Sequence, residues 1–202
     1  MAKIGMIAMS AKPAHAGHIK LIELASKEND LVNVYVSLTT RKRKGELVVY
    51  GEDMEEVWNK HLLKILPDNV NVEFVSSPVG SVFEALEEAE SDPYNDSTFS
   101  VYSDPTDMEK NSFNRKTFMK YVPRMTEEDR VNIRPVLRTD TVDVSGTKMR
   151  HAVETDDFET FASGMPAGVD AEAVWDILRK RMTHKSDYIT EDYIRDMIYN
   201  RH

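Results

Sequence analysis

The segment Ser10-Ala11-Lys12-Pro13-Ala14-His15-Ala16-Gly17-His18 concentrates residues able to act on negative charge. Two of the chain's six histidines stand three positions apart around a single glycine. Gly17 has no Cβ, so a ligand can come close to the backbone there. His18 falls on the first turn of a predicted helix, where free N–H groups and the macrodipole favour an anion. At this spacing both imidazoles can face one bound phosphate, and Lys12 adds a point charge from the same loop. Such a site stabilises the charge that grows in a phosphoryl-transfer transition state. The bland alternative is two surface histidines beside a helix cap.

A second group is Asp143-Val144-Ser145-Gly146-Thr147-Lys148-Met149-Arg150. Ser145 reads as a helix N-cap, and Gly146 leaves room at the helix start. The Ser145 and Thr147 hydroxyls, exposed N–H groups, Lys148 and Arg150 together make an anion cradle. Its plain reading is a well-capped helix with a basic exposed face. Thr39, Thr40, Arg41 and Arg43 follow the second predicted strand and can grip an acceptor phosphate or carboxylate. Ser103, Asp104 and Asp107 follow the fourth and can touch a nucleotide or a metal, although Asp104-Pro105 also reads as a turn. Trp58 and Trp175 fall on apolar helix faces and read as core.

Periodicity supplies the elements that must position these groups. Lys3–Met9 is a short apolar run that reads as a strand buried on both faces. Leu31–Leu38 alternates as a second strand, Val70, Val72 and Phe74 mark a third, and Phe99–Tyr102 a fourth. Val131–Leu137 is a fifth, with Pro135 signalling an edge. Helical spacing joins Ile19, Leu21, Ile22 and Ala25. A second amphipathic face runs from Met54 through Val57, Trp58 and Leu62 to Leu66 and stops at Pro67. Ser81-x-x-Glu84 has the form of a capping box opening a helix over Val82–Glu90. A weaker helix covers Phe113–Tyr121. Beyond Ser145 the pattern is helical over about 145–154, 157–163, 171–183 and 190–200, the last with Thr190 as its cap.

Alternating strands and helices imply βαβ units. The fold expected is α/β: a Rossmann-like parallel five-stranded sheet with helices on both faces and a C-terminal helical extension. Residues 1–155 form the main domain and 156–202 an extension of it, which packs over the sheet, closes the site or pairs with another subunit. In such sheets ligands sit outside the carboxyl ends of the strands, near the switch in strand order. That directs attention to the loops Ser10–His18, Thr39–Glu46, Ser103–Asp107 and Asp143–Arg150.

Composition narrows the chemistry. The 202 residues are 41% hydrophobic and 30% charged, ordinary for a chain with a real core. With no cysteine, disulfides, thiolate zinc sites and cysteine nucleophiles are excluded. The start has neither a proper h-region nor a cleavage site, and no run approaches the roughly 18 apolar residues that span a bilayer. A cytoplasmic protein without a membrane partner is expected. The formal net charge of −9 argues against a nucleic-acid partner, since backbone affinity needs a basic surface. The cluster Arg41-Lys42-Arg43-Lys44 in this acidic chain suits a small anionic ligand better than a polymer. Neither a Gly-x-Gly-x-x-Gly after the first strand nor a P-loop motif is present.

His-x-Gly-His after the first strand, with Ser-Gly-Thr-x-x-Arg opening a helix after the last, resembles the nucleotidyltransferase superfamily over about residues 3 to 154. The chain looks most like the cytidyltransferase-like proteins carried by large bacteriophages. The resemblance implies in-line attack of an acceptor on the α-phosphorus of a nucleoside triphosphate, with pyrophosphate leaving and no covalent intermediate. It implies that His15, His18 and Lys12 stabilise the transition state. Ser10 and Gly17 would line the nucleotide's phosphates, and Ser145, Gly146, Thr147, Lys148 and Arg150 would hold the β- and γ-phosphates. Magnesium would arrive with the triphosphate, and no protein ligand for it is assigned. The acceptor would be small and phosphorylated.

The Ser-Gly-Thr form resembles adenylyl-transferring branches and favours ATP over CTP. Many members carry Gly-x-Phe-Asp or Gly-x-Phe-x-Pro before the histidines, where this chain has Met9-Ser10-Ala11-Lys12-Pro13, so the acceptor class stays open. Class I aminoacyl-tRNA synthetases share the histidine motif, but this short acidic chain has no obvious tRNA-binding domain. A nucleotide-binding module without catalysis and a structural interaction protein are the remaining alternatives.

Overall fold

In a computed structural model of the chain, residues 1–137 and 144–182 are described. Five strands form one parallel sheet: β1 (Lys3–Met9), β2 (Leu31–Ser37), β3 (Val70–Val75), β4 (Thr98–Ser103) and β5 (Val131–Pro135). Their order is β3-β2-β1-β4-β5. The chain winds outward from β1 to β3, then returns to the other side of β1 for β4. The switch in order therefore lies between β1 and β4, where Ile4 pairs with Phe99 and Ile7 with Tyr102.

Apolar side chains leave both faces of these strands, which is what a covered parallel sheet requires. One face carries Ile7, Val32, Val34 and Val36; it is covered by Ile19, Ile22 and Ala25 of α1 (Ala16–Glu28), α2 (Gly51–Val57), α7 (Gly146–Glu154) and α8 (Phe158–Ser163). A further helix, α9, over 171–182 adds Val174, Trp175 and Leu178 to the same layer. The Trp175 ring meets Phe161 edge-on at 5.1 Å between centroids. The other face carries Met6, Tyr35 and Val101 beneath α3 (Pro78–Ser91), α4 (Pro105–Lys110), α5 (Arg115–Tyr121) and α6 (Pro123–Glu127). This is the Rossmann-like α/β architecture expected. The helix expected at 190–200, with Thr190, lies outside the described residues.

Several boundaries differ from the sequence reading. The helix placed at Val82–Glu90 starts earlier: Ser77 is the N-cap, its hydroxyl accepting from Gly80 N–H at 3.3 Å, and Pro78 occupies the first turn. Proline there loses no intrahelical bond and has its φ preset, so Ser-Pro prevails over the Ser81 capping box. The amphipathic run to Leu66 is no uniform helix. After α2 it widens to a π turn over Trp58–Leu62 and tightens to a 3₁₀ turn over Leu63–Ile65. The widened turn carries Trp58 and Leu62, both wholly buried, into the core formed with Met54 and Val57. The helix expected from Phe113 begins after the N-cap Asn114. Phe113 instead stacks on Phe118 at 6.4 Å, the hydrophobic staple that fixes how the chain enters α5. The short helices α4 and α6 carry too little periodicity to be read. No helix among the described residues is long and apolar enough to cross a membrane.

Candidate functional site

A cleft of about 730 Å³ opens at the carboxyl ends of the strands, across the switch between β1 and β4. It is lined by Ser10, Lys12, His15, Gly17 and His18 from the β1–α1 loop and by Thr39, Arg41 and Arg43 after β2. Ser103 and Asp104 close β4, and Ser145, Gly146, Thr147 and Arg150 come from the start of α7. Residues separated by more than a hundred positions thus share one cavity. Thr40 and Lys148 are exposed and lie outside the lining. Lys148 contributes its backbone N–H to the Ser145 cap at 3.2 Å. It stands one position, about 100°, from Thr147 around the helix. The Asp143 position lies outside the described residues.

The histidine motif closes on itself. His15 is the N-cap of α1, and its Nδ1 accepts from Gly17 N–H at 3.2 Å. The His18 Nδ1 accepts in return from His15 N–H at 3.3 Å. Ala16 N–H donates to the Gly164 carbonyl at 2.9 Å, and His18 N–H to the His15 carbonyl at 2.9 Å. The first N–H groups of the helix are therefore spent inside the protein, contrary to the expectation that they remain open to an anion. What the motif offers is its rings. With Nδ1 accepting in both, a neutral imidazole carries its proton on Nε2 as a donor. The rings lie 3.9 Å apart, centroid to centroid. Loss of hydration, and then the neighbouring His15, hold the His18 pKa well below the ordinary imidazole value. Gly17 serves this packing: a Cβ there would stand 3.1 Å from the His15 ring.

Lys12 is buried, and its ammonium donates to the Ser37 carbonyl at 2.5 Å, joining the loop after β1 to the end of β2. Burial lowers its pKa to about 8. Ala11 beside it is buried in the left-handed region at φ 47°, a conformation that costs an L-residue and persists only under surrounding constraint.

At the opposite rim Ser145 caps α7. The first-turn amides at Gly146 and Thr147 have no intrahelical acceptor. Arg150 is buried. It donates through Nη1 to the Lys12 carbonyl at 2.7 Å, through Nη2 to the Thr147 hydroxyl at 2.9 Å, and through Nε to Glu46 at 3.1 Å. Glu46 also accepts from Arg41 at 2.8 Å. The Arg41 hydrogen bond, foremost, and the charges of Arg150, Arg41 and Arg43 hold the Glu46 carboxyl below its usual range. A Cβ on Gly146 would lie 3.0 Å from an Arg150 nitrogen and 3.3 Å from the Lys12 carbonyl, so a larger residue there would press on the arginine's seat.

Sequence reasoning missed some of the lining. Ser76, Ser77 and Pro78 follow β3, and the strand-end rule applied to that strand would have found them. Lys110 and Asn111 sit on or just after the unpredicted α4. Glu46, which binds the lining residues Arg41 and Arg150 without itself lining the cleft, gave no local signal. Asp104, read as a turn or a ligand, is the N-cap of α4, accepting from Asp107 N–H at 2.9 Å, while also lining the cleft. Trp58 and Trp175 are core residues. In a chain of net charge −9, the lining brings together, among the described residues, Lys12, Arg41, Arg43, Lys110 and Arg150 against Asp104 and Asp107, with Glu46 bound to Arg41 and Arg150 beside it. Low-dielectric walls focus that positive field on an entering anion. Among the described residues no three His, Asp or Glu side chains converge to hold a metal ion.

No protein-family profile matches the chain, and no curated protein matches it. Solved structures do. A Vibrio parahaemolyticus protein assigned as a nicotinate-nucleotide adenylyltransferase superposes with a TM-score of 0.50 at 16% identity, over 88% of this chain and 99% of that one. The bifunctional NMN adenylyltransferase/ADP ribose pyrophosphatase of Francisella tularensis, complexed with AMP and a manganese ion, gives 0.54 at 12% identity over the whole of this chain. This chain spans 57% of that protein's length. At such identities the likeness establishes a shared fold.

Proposed function

We propose that the cleft binds a nucleoside triphosphate and transfers its nucleoside monophosphate to a small phosphorylated acceptor. The observation that carries this is the convergence of Lys12, His15 and His18 with Arg41, Thr147 and Arg150 on one cleft at the switch in strand order. Adenylyltransferases among the fold neighbours, one of them holding AMP, are in keeping with nucleotide chemistry, and the preference for ATP over CTP rests on the Ser145-Gly146-Thr147 form of the second motif.

In this reading an acceptor oxygen attacks the α-phosphorus in line. The bond from that phosphorus to the β-bridging oxygen breaks, and pyrophosphate leaves with the electron pair. His15 and His18 act as neutral donors, through Nε2–H, to phosphate oxygens that gain charge in the transition state. One such preorganised donor is worth about 10²–10³ in rate. Lys12 offsets phosphate charge from below, and Arg150, Thr147 and Ser145 hold the leaving pyrophosphate. Arg43, Ser103 and Asp104 face the acceptor. A divalent ion such as Mg2+ would neutralise the polyphosphate. With no cage of His, Asp or Glu side chains for it among the described residues, phosphate oxygens and water would hold it.

A thermal-shift panel of ATP, CTP, GTP and UTP with magnesium, run beside His18→Ala, tests this. A ligand at about 100 times its Kd adds about 2.7 kcal/mol, a rise of a few degrees for a chain of this size. Stabilisation by one triphosphate, weakened in the variant, identifies the donor; pyrophosphate release with candidate acceptors then separates an enzyme from a binding module. No shift with any nucleotide would sink the triphosphate reading.

A further inference from the structure

One oxygen of Glu46 lies 2.8 Å from Arg41 Nη2, 3.0 Å from Arg150 Nη2 and 3.1 Å from Arg150 Nε. A single carboxylate oxygen thus sits where guanidinium groups from two distant parts of the chain meet. The remaining Arg150 partners are the Lys12 carbonyl and the Thr147 hydroxyl. A polyphosphate oxygen seeking the forked face of Arg150 meets the position that Glu46 holds. An anion of several charges and a carboxylate sharing donors at this range repel each other.

The segment that carries Glu46 is built to let it go. Arg41 and Val49 exchange backbone hydrogen bonds at 2.8 and 3.1 Å, and Leu47 and Val49 are buried. Between these anchors Lys42, Arg43, Lys44 and Gly45 are exposed. Gly45 takes φ +77° at an open position, where an added Cβ would meet no atom within 4 Å. The Glu46 side chain is itself 30% exposed, so water lies next to it and can receive it.

We infer that Glu46 is a positioning residue that acts as a built-in stand-in for polyphosphate: it holds Arg41 and Arg150 at the cradle and is displaced when polyphosphate binds. The inference rests on the triphosphate reading above. Glu46 keeps two cations apart and correctly aimed, and it sets a threshold that only a multiply charged anion crosses. A monophosphate, with less charge to exchange, displaces it poorly. Affinity for polyphosphate is therefore lower than the cradle alone would give, and selectivity for it over monophosphate is higher.

The test is calorimetric titration of the full chain with inorganic tripolyphosphate and with inorganic phosphate, on wild type, Glu46→Gln, Glu46→Asp and Glu46→Gln combined with Arg41→Ala. Circular dichroism confirms folding, and the isosteric glutamine keeps the loop's shape. The expected result is tripolyphosphate bound about tenfold tighter by Glu46→Gln. Glu46→Asp, which keeps the charge, restores the weaker binding. Selectivity against phosphate falls in Glu46→Gln, and the gain shrinks when Arg41 is also removed. With nucleotide, KM falls while kcat does not rise. Equal or weaker tripolyphosphate binding by Glu46→Gln overturns the inference, leaves Glu46 a structural brace, and spares the triphosphate reading. Failure of both wild type and Glu46→Gln to bind tripolyphosphate or any nucleoside triphosphate overturns both.

Discussion

At one rim of the cleft, Lys12, His15, Gly17 and His18 lie within seven consecutive residues, and the two histidines fix each other through reciprocal bonds to backbone amides. At the other rim, Arg150 meets Glu46 across 104 positions and the Lys12 carbonyl across 138. The first arrangement is local. It forms once α1 starts, and loss of hydration holds the His18 pKa well below the ordinary imidazole value. The second exists only after the loop beyond β2 has docked against α7, and its cations are held by a carboxylate that competes with any anionic ligand. On the function proposed above, transition-state chemistry falls to the locally encoded rim and ligand capture to the rim assembled at long range. The carbonyl of Lys12 joins them, because the residue whose ammonium serves the first rim seats the arginine of the second.

The sharpest way to break this comparison is His18→Ala. The transfer rate should fall by about 10²–10³, while loss of half the reciprocal cap costs only about 1 kcal/mol. Pyrophosphate release and thermal melting read the two effects separately. A variant that melts early yet turns over normally would reduce the motif to a helix cap.

Arg150→Ala should act mainly on binding. Triphosphate affinity is expected to drop about tenfold or more. The unfolding free energy should also fall by about 1–3 kcal/mol, since the Lys12 carbonyl and the Thr147 hydroxyl lose a charged donor. Arg150→Lys should recover little of either, because one ammonium cannot reproduce three directed bonds. Equal losses of rate in Arg150→Ala and His18→Ala, at saturating nucleotide, would erase the division of labour.

Lys12 sharpens the comparison through pH. Its pKa is lowered to about 8 by burial, so the free protein keeps the cation below that value and loses it above. The ratio kcat/KM should therefore fall as pH rises through about 8, approaching tenfold per unit. Below that, His18 should add no limb at neutral pH, since its pKa lies well under the ordinary imidazole value. Lys12→Arg should remove the alkaline limb, because arginine stays charged. A limb that persists unchanged in Lys12→Arg assigns it to another group. The smallest effect belongs to Lys148→Ala. That side chain is exposed and outside the cleft, so stability should change by no more than about 0.5 kcal/mol, and triphosphate affinity less than twofold in the same titrations.

The sheet was legible because β1 is a short apolar run, β2 and β3 alternate apolar residues along one face, and the longer helices keep a 3.6-residue period. The short elements were not. The helices α4 and α6 have six and five residues, too few to show a period, and each is started by a proline that reads equally as a turn. The π turn at Trp58 follows from how an indole fits a particular core, which no spacing rule encodes. In the site, both motifs were legible as clusters of cationic and hydroxyl groups. That Lys148 falls outside the lining was not legible, because a basic residue beside a motif says nothing of which side of the helix it takes.

The parallel α/β architecture, the placement of the candidate site at the strand ends and the histidine motif were readable from the chain alone. Each of these rests on covalent spacing: period two or 3.6, or three residues across one helical turn. Only the tertiary structure decided that the amides opening α1 are spent internally, that Lys12 is buried, and that Glu46 stands between Arg41 and Arg150. Those facts depend on which distant groups exclude water from one another. Burial, the lowered pKa values and the competition for a guanidinium arise when segments far apart in the chain are packed together, and no local pattern records them.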